Sequence, residues 1–272
     1  MRRDACFHHC QLEQGQVGFC RGRMNKKGKI VSLNANRFTS MALDPIEKKP
    51  FSRFHSGSMI LSVGGFGCNL RCPFCQNHSI SMADSNVDTI TYSPKELVSI
   101  AKSYQDRGNI GVAFTYNEPL INYEYILETV HLLHQEEMVC VVVSNGVMGP
   151  HLFEKVIPSI DAINIDLKGF TSDFYSWVQG DLECVKKNIE IANRYCHVEL
   201  TTLIIPDKND SKEQMQQQAS WIAGINPNIP LHISRFFPRY KYTDTNPTDV
   251  NRIYELVDVA KEYLKYVYRG NC

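Results

Sequence analysis

Three cysteines stand in one short run, Gly65-Phe66-Gly67-Cys68-Asn69-Leu70-Arg71-Cys72-Pro73-Phe74-Cys75-Gln76-Asn77, at spacing C-x3-C-x2-C with an aromatic residue before the third. Thiolates this close together form a metal-ligand set. A structural zinc site takes four protein ligands, often from two separated pairs, and an ordinary four-iron, four-sulfur (4Fe-4S) cluster takes four cysteines. Three thiolates on a cubane leave one iron with no protein ligand, and that iron can bind a small molecule. The missing fourth cysteine is then the functional feature. The competing reading is three buried structural cysteines or a zinc knuckle.

The elements around this run decide where it sits. From Ser58 the chain alternates apolar strand-like runs with amphipathic stretches. Strands are expected over 58–65, 109–116, 139–145, 161–169, 197–205 and 230–236. Helices are expected over 93–108, 119–137, 181–195, 210–224 and 250–264. Ser93 followed by Glu96 is a capping box that starts the first helix, and Gly108 ends it. Such alternation means repeated βαβ units and a mainly parallel α/β sheet; about six strands suggest an open or partial barrel. The cysteine run directly follows the first of these strands. Residues 1–57 read as an irregular cysteine-rich extension, and 58–272 as the α/β domain.

Composition narrows the classes. The chain has 272 residues with 29 Lys+Arg against 29 Asp+Glu, so no strong field favours nucleic acid or an anionic membrane. No apolar run is long enough for a membrane span, and the opening MRRDACFHHCQLEQGQ lacks the apolar core of a signal peptide. A cytoplasmic location is expected, where ten cysteines argue for metal or redox chemistry rather than disulfides.

With Phe74 in place, Cys68, Cys72 and Cys75 resemble the C-x3-C-x-aromatic-C signature of the radical S-adenosylmethionine (SAM) superfamily. The resemblance implies a partial (β/α)6 barrel and a 4Fe-4S cluster on the three cysteines. It also implies SAM bound through its amino and carboxylate groups at the open iron. One electron passes to the sulfonium, and the resulting 5′-deoxyadenosyl radical abstracts hydrogen from a substrate. The same resemblance offers SAM-binding candidates at strand ends. Tyr116-Asn117-Glu118-Pro119 falls where the family often has Gly-Gly-Glu-Pro, with Tyr116 and Asn117 in place of the two glycines. Asn145 closes the next strand. Asp166 and Lys168 resemble the Asp-x-Lys of glycyl-radical-enzyme activases, and His232 matches a histidine that approaches SAM there. Val143 replaces the aspartate of that branch's monovalent-cation site, so that site is not carried over. Arg235, Thr201 and Thr202 are weaker candidates.

Over nearly its whole length, in CFHHCQLEQGQVGFCRGRMNKKGKIVSL, TYNEPLINYEY and PLHISRFFPRYKY, the chain resembles the AmmeMemoRadiSam system radical SAM enzymes, a pyruvate formate-lyase activating enzyme-like family. That resemblance implies an electron donor such as flavodoxin or ferredoxin, a protein or peptide as one class of substrate, and AMMECR-type or Memo-type proteins as partners. It does not fix the substrate. A glycyl-radical-enzyme activase is the narrower alternative, although the long segment ahead of the cysteines and the lack of a ferredoxin insert depart from it.

Cys6, Cys10 and Cys20, at C-x3-C-x9-C, suggest a second metal site in a region poor in core residues, where a metal could supply order. Zinc, an auxiliary iron-sulfur cluster or no metal all remain open, with His8, His9 or Cys272 as a fourth ligand. A zinc module of this kind, with the basic stretch Arg21–Lys29, would also suit a non-catalytic docking protein. Cys140, Cys184 and Cys196 fall on core patterns.

Overall fold

Near-continuous apolar runs such as Ile60–Val63 and Cys140–Val142 belong to strands covered on both faces, and the computed structural model, which describes residues 5–272, places them in the middle of one sheet. Its strands are β1 (Ser40–Pro45), β2 (Met59–Gly64), β3 (Asn109–Phe114), β4 (Val139–Ser144), β5 (Ala162–Asp166), β6 (His197–Ile204), β7 (Leu231–Arg235) and β8 (Val267–Gly270). They lie side by side in strict sequence order. All neighbours are parallel except β1, which runs antiparallel to β2. An order that never reverses means every crossover turns the same way, which curls the sheet into a barrel wall rather than a doubly wound layer. β1 and β8 do not pair, so the barrel is open.

The helices between the strands start where the sequence offers caps. Ser93 accepts from the Glu96 amide and completes the capping box of α1 (Pro94–Ser103). After α2 (Tyr123–Gln135) and α3 (Pro150–Val156), Asp181 caps α4 (Leu182–Ala192), Ser211 caps α5 (Lys212–Ile225) and Asp249 caps α6 (Val250–Lys261). The stretch expected as one helix over 119–137 opens instead with a 3-10 turn, Pro119–Asn122, because Glu118 turns its carboxylate onto the Leu120 amide. No helix among the described residues is long and apolar enough to cross a membrane.

Residues 5–57 differ from the irregular extension expected. A hairpin, Arg23–Lys26 with Lys29–Ser32, precedes β1, and β1 is the edge of the barrel sheet itself. The loop from β1 to β2 then plugs the end of the barrel opposite the cysteines. Ile46 and Phe51 are fully buried against Ile60, Ala113, Val141 and Ala162. Two buried polar side chains from distant strands fix the plug's backbone. Asn164 Nδ2 donates to the Pro50 carbonyl (2.8 Å), and the Glu199 carboxylate accepts from the amides of Ser52 (3.0 Å) and Arg53 (2.7 Å).

Burial pushes the Glu199 carboxyl up, but hydrogen bonds from His197, His232 and the two amides outweigh it and hold the group at about 2. A depressed carboxyl contributes stability that is present above the ordinary value of 4.5 and lost as pH falls towards 2. Its worth is on the order of 3 kcal/mol. Urea midpoints at pH 7 and pH 3 are therefore expected to fall further in the wild type than in Glu199→Gln; equal falls would contradict the assignment.

Candidate active site

β2 ends at Gly64, and the chain then turns across the mouth of the barrel as the cysteine loop. Gly67 makes the turn in the left-handed region (φ 85°). The Cys68 amide donates to the Cys20 carbonyl (3.1 Å), which docks the loop on the N-terminal segment. Arg71 adds a second tie, donating to the Phe19 carbonyl while its guanidinium lies 3.9 Å above the Phe19 ring. His8 Nε2 lies 2.8 Å from the Asn69 carbonyl oxygen as a third.

Cys68, Cys72 and Cys75 border one cavity of about 280 Å³, at the low end for a small-ligand site. Much of the rest of its wall comes from the C-terminal ends of the strands, where sites form in such barrels: Thr115–Glu118 after β3, Val143–Asn145 at the end of β4, Asp166 and Lys168 at and just beyond the end of β5, and Thr201 and Ser234. Burial pushes the Cys72 thiol up to about 11 and Cys68 well above its ordinary value, with the Glu118 carboxylate adding to the effect at Cys68. The protein alone thus favours neutral thiols here, and a bound cationic centre reverses that preference. Among the described residues no three His, Cys, Asp or Glu side chains converge on a single ion. A cluster does not require such convergence, because each thiolate binds a different iron. The three thiols on one cavity wall fit that group.

Glu118 is 2% exposed and accepts from the Leu120 amide (3.0 Å), Ser144 Oγ (2.9 Å) and the Asn145 amide (2.8 Å). A carboxylate has about four acceptor positions, so one remains for a ligand. Burial lifts its carboxyl to about 7 against those three hydrogen bonds. Lys168 Nζ donates to Asp166 Oδ2 (2.9 Å). Burial works against the Lys168 ammonium, but the Asp166 carboxylate outweighs it and holds its pKa well above the usual lysine range.

The other candidates divide. Asn145 lines the cavity, its Nδ2 3.5 Å from Cys68 Sγ and 2.8 Å from Asn69 Oδ1. Phe74 packs its ring on Phe174 and Trp177. Asn117 borders the cavity, yet its amide is spent on the cysteine loop, accepting from the Gly65 amide and donating to the Phe66 and Gly67 carbonyls. His232 does not border the cavity of the cysteines; its Nε2 lies 2.6 Å from Glu199 Oε2 and its ring stacks on Tyr268. Thr201 reaches the cavity, whereas Thr202 is bound to the Leu167 carbonyl and Arg235 to the Thr248 carbonyl.

Cys6 and Cys20 border one small pocket against Asn69, and Cys10 is close enough to raise both thiols. Of the fourth-ligand candidates, His8 is engaged by Asn69, and Cys272 is exposed at the end of β8. Sequence reasoning passed over Asp44 and Lys49 and saw Tyr116 only as a replaced glycine. Lys49 Nζ and Tyr116 Oη both reach Asp44 Oδ2 (2.9 Å each) beside the cavity. The positive φ of Tyr116 (71°) belongs to the backbone and leaves no mark in the sequence.

Residues 62–219 match the radical SAM superfamily. An uncharacterized protein of Methanocaldococcus jannaschii is 36% identical over 98% of this chain and 80% of its own length. The pyruvate formate-lyase-activating enzyme of Clostridium pasteurianum is 26% identical over 73% of this chain and 89% of its own. Among solved structures, Streptococcus suis SuiB bound to precursor peptide SuiA shares the fold, with TM-score 0.59 and 14% identity over 75% of this chain and 47% of that one.

Proposed function

Since this chain belongs to the radical SAM superfamily and so cleaves SAM at a 4Fe-4S cluster, we propose that Cys68, Cys72 and Cys75 hold that cluster and that the strand ends around them hold SAM. The observation that carries this is the single cavity shared by the three thiols, Glu118, Asn145 and the Asp166–Lys168 pair. When bound, the reduced cluster supplies the electron that splits the sulfonium and releases a 5′-deoxyadenosyl radical.

The protein's own groups bind and orient. The remaining acceptor position of Glu118 takes the SAM ammonium, and the charge of that ammonium draws the carboxyl down from about 7 to the ionised form. Lys168, kept cationic by Asp166, faces the SAM carboxylate. The Asn145 amide donates to the Cys68 sulfur (3.5 Å). The substrate is a protein or peptide, a reading supported by relatives named as activating enzymes, and a one-electron donor such as flavodoxin or ferredoxin serves the cluster. The narrower reading, activation of a glycyl-radical enzyme, is favoured by the Clostridium pasteurianum relative; it calls for a glycyl EPR doublet on the partner.

The test is anaerobic EPR of reconstituted, reduced protein with and without SAM, on the wild type and on a variant with Cys6, Cys10 and Cys20 all replaced by alanine. A cubane signal that shifts on adding SAM and survives in the variant is expected. A signal indifferent to SAM, or one lost with the N-terminal cysteines, would overturn the assignment.

A further inference from the structure

Between the unpaired strands β1 and β8 lies a cleft of about 1040 Å³. Val267, Tyr268, Arg269 and Gly270 all border it. Alternate residues of a strand point to opposite faces, so four in succession border one space only when that space runs along the strand's edge. β8 is bonded on one side only, to β7. Its other edge offers backbone N–H and C=O groups to the cleft, the arrangement on which an extended chain adds as a further strand.

Charge narrows the occupant. Four cations border the cleft, Lys48, Lys49, Lys261 and Arg269, against two carboxylates, Asp44 and Glu47, a net of two positive charges. Both carboxylates are committed within the protein. Asp44 accepts from Lys49 Nζ and Tyr116 Oη, and Glu47 from the Ser56 hydroxyl (2.8 Å) and the Gly57 amide (2.6 Å). Lys49 is buried and spent on Asp44, so the surplus that attracts acidic groups lies on Lys48, Lys261 and Arg269, of which Lys48 also reaches Asp44 (3.4 Å) and Lys261 reaches Asp258 (3.6 Å).

The cleft adjoins the cysteine cavity, since Gln76, Tyr116, Ser234 and Asn271 border both. Tyr116 is the partition. A bulky residue at positive φ costs on the order of 1–3 kcal/mol and persists only where its surroundings hold it. Here the hydroxyl is fixed by Asp44 and Lys49, and Asn77 Nδ2 donates to its carbonyl (2.8 Å).

Resting on the protein-or-peptide reading above, we propose that this cleft docks an acidic polypeptide segment, which adds as a strand along β8 and passes Tyr116 to reach the cysteine cavity. The probe is a fluorescent peptide of alternating glutamate and threonine, read by anisotropy on the anaerobically reconstituted full chain. It is expected to bind at least about tenfold more tightly than its lysine–threonine counterpart, and to weaken with salt. The double variant Lys261→Glu with Arg269→Glu is expected to lose about the same factor. N-methylation of alternate peptide bonds, which removes ladder donors and leaves charge intact, is expected to abolish binding. Equal binding of the two peptides, undiminished binding after N-methylation, or displacement by free glutamate at equal residue concentration would each overturn the proposal. Deuterium transfer from a labelled polypeptide into 5′-deoxyadenosine tests the protein-or-peptide reading separately, and wild-type SAM cleavage without peptide tests the cluster assignment.

Discussion

Cys68→Ala is expected to lower formation of 5′-deoxyadenosine and methionine from SAM, under dithionite reduction, by at least about six orders of magnitude, to the level of the enzyme-free reaction. The reason lies in the ligand count. Three thiols border the cavity and none is spare, so losing one leaves two irons of a cubane open, and the electron source for the sulfonium is lost with it. Cys140→Ala is the control. Cys140 is fully buried in β4, away from the cavity, and acts as a small apolar residue. Its truncation costs about 1 kcal/mol of stability and leaves iron content and product yield as in the wild type. Chromatography of both products against iron per chain separates the two cases. A Cys68→Ala protein that cleaves SAM at the wild-type rate would end the cluster assignment.

Gly67→Ala is expected to remove most of the bound iron without touching any thiol. A Cβ at this position would stand 2.5 Å from the Cys20 carbonyl oxygen and 3.2 Å from the Gly22 nitrogen, in a residue at φ 85°. Both neighbours are backbone, so no side chain can swing away. The turn must shift, and with it goes the adjacent bond from the Cys68 amide to Cys20. Strain of this kind costs on the order of 1–3 kcal/mol, and it falls on the loop that spaces the thiols. Iron per chain after reconstitution, read beside the thermal midpoint, checks it. A variant with full iron content and an unchanged midpoint would show that the loop tolerates the shift.

The parts of this protein that were legible in its sequence are those whose cause is local. Ser93 and Glu96 mark a helix start three residues apart, and the apolar runs of β2 to β5 announce strands covered on both faces. The cysteine run follows a strand, and both lie where a barrel places its site. The alternation of elements locates the strand ends, and the family resemblance picks out Glu118, Asn145 and Asp166 there.

Long-range causes stayed hidden. β1 looks irregular because Ser40-Met-Ala-Leu-Asp-Pro has no clean alternation, and its strand form comes from β2 on one side. The plug around Phe51 depends on Asn164 and Glu199, which no pattern near residue 51 can reveal. Asn117 shows the converse. Its position matches a ligand contact, yet the fold uses its amide to hold residues 65–67. His232 was legible as a strand histidine, but its partner is the Glu199 carboxylate one strand away.

The plug also sets a schedule for synthesis. Ser52 leaves the ribosome 147 residues before Glu199, the carboxylate that will hold it. At ordinary elongation speeds of roughly 5–20 residues per second, that gap lasts on the order of ten to thirty seconds. Throughout it Ile46 and Phe51 have no barrel to enter, and the nascent chain carries its stopper ahead of the vessel. Folding of this protein is thus bound to its later half, and the apolar segment around Phe51 stays exposed on the growing chain until then.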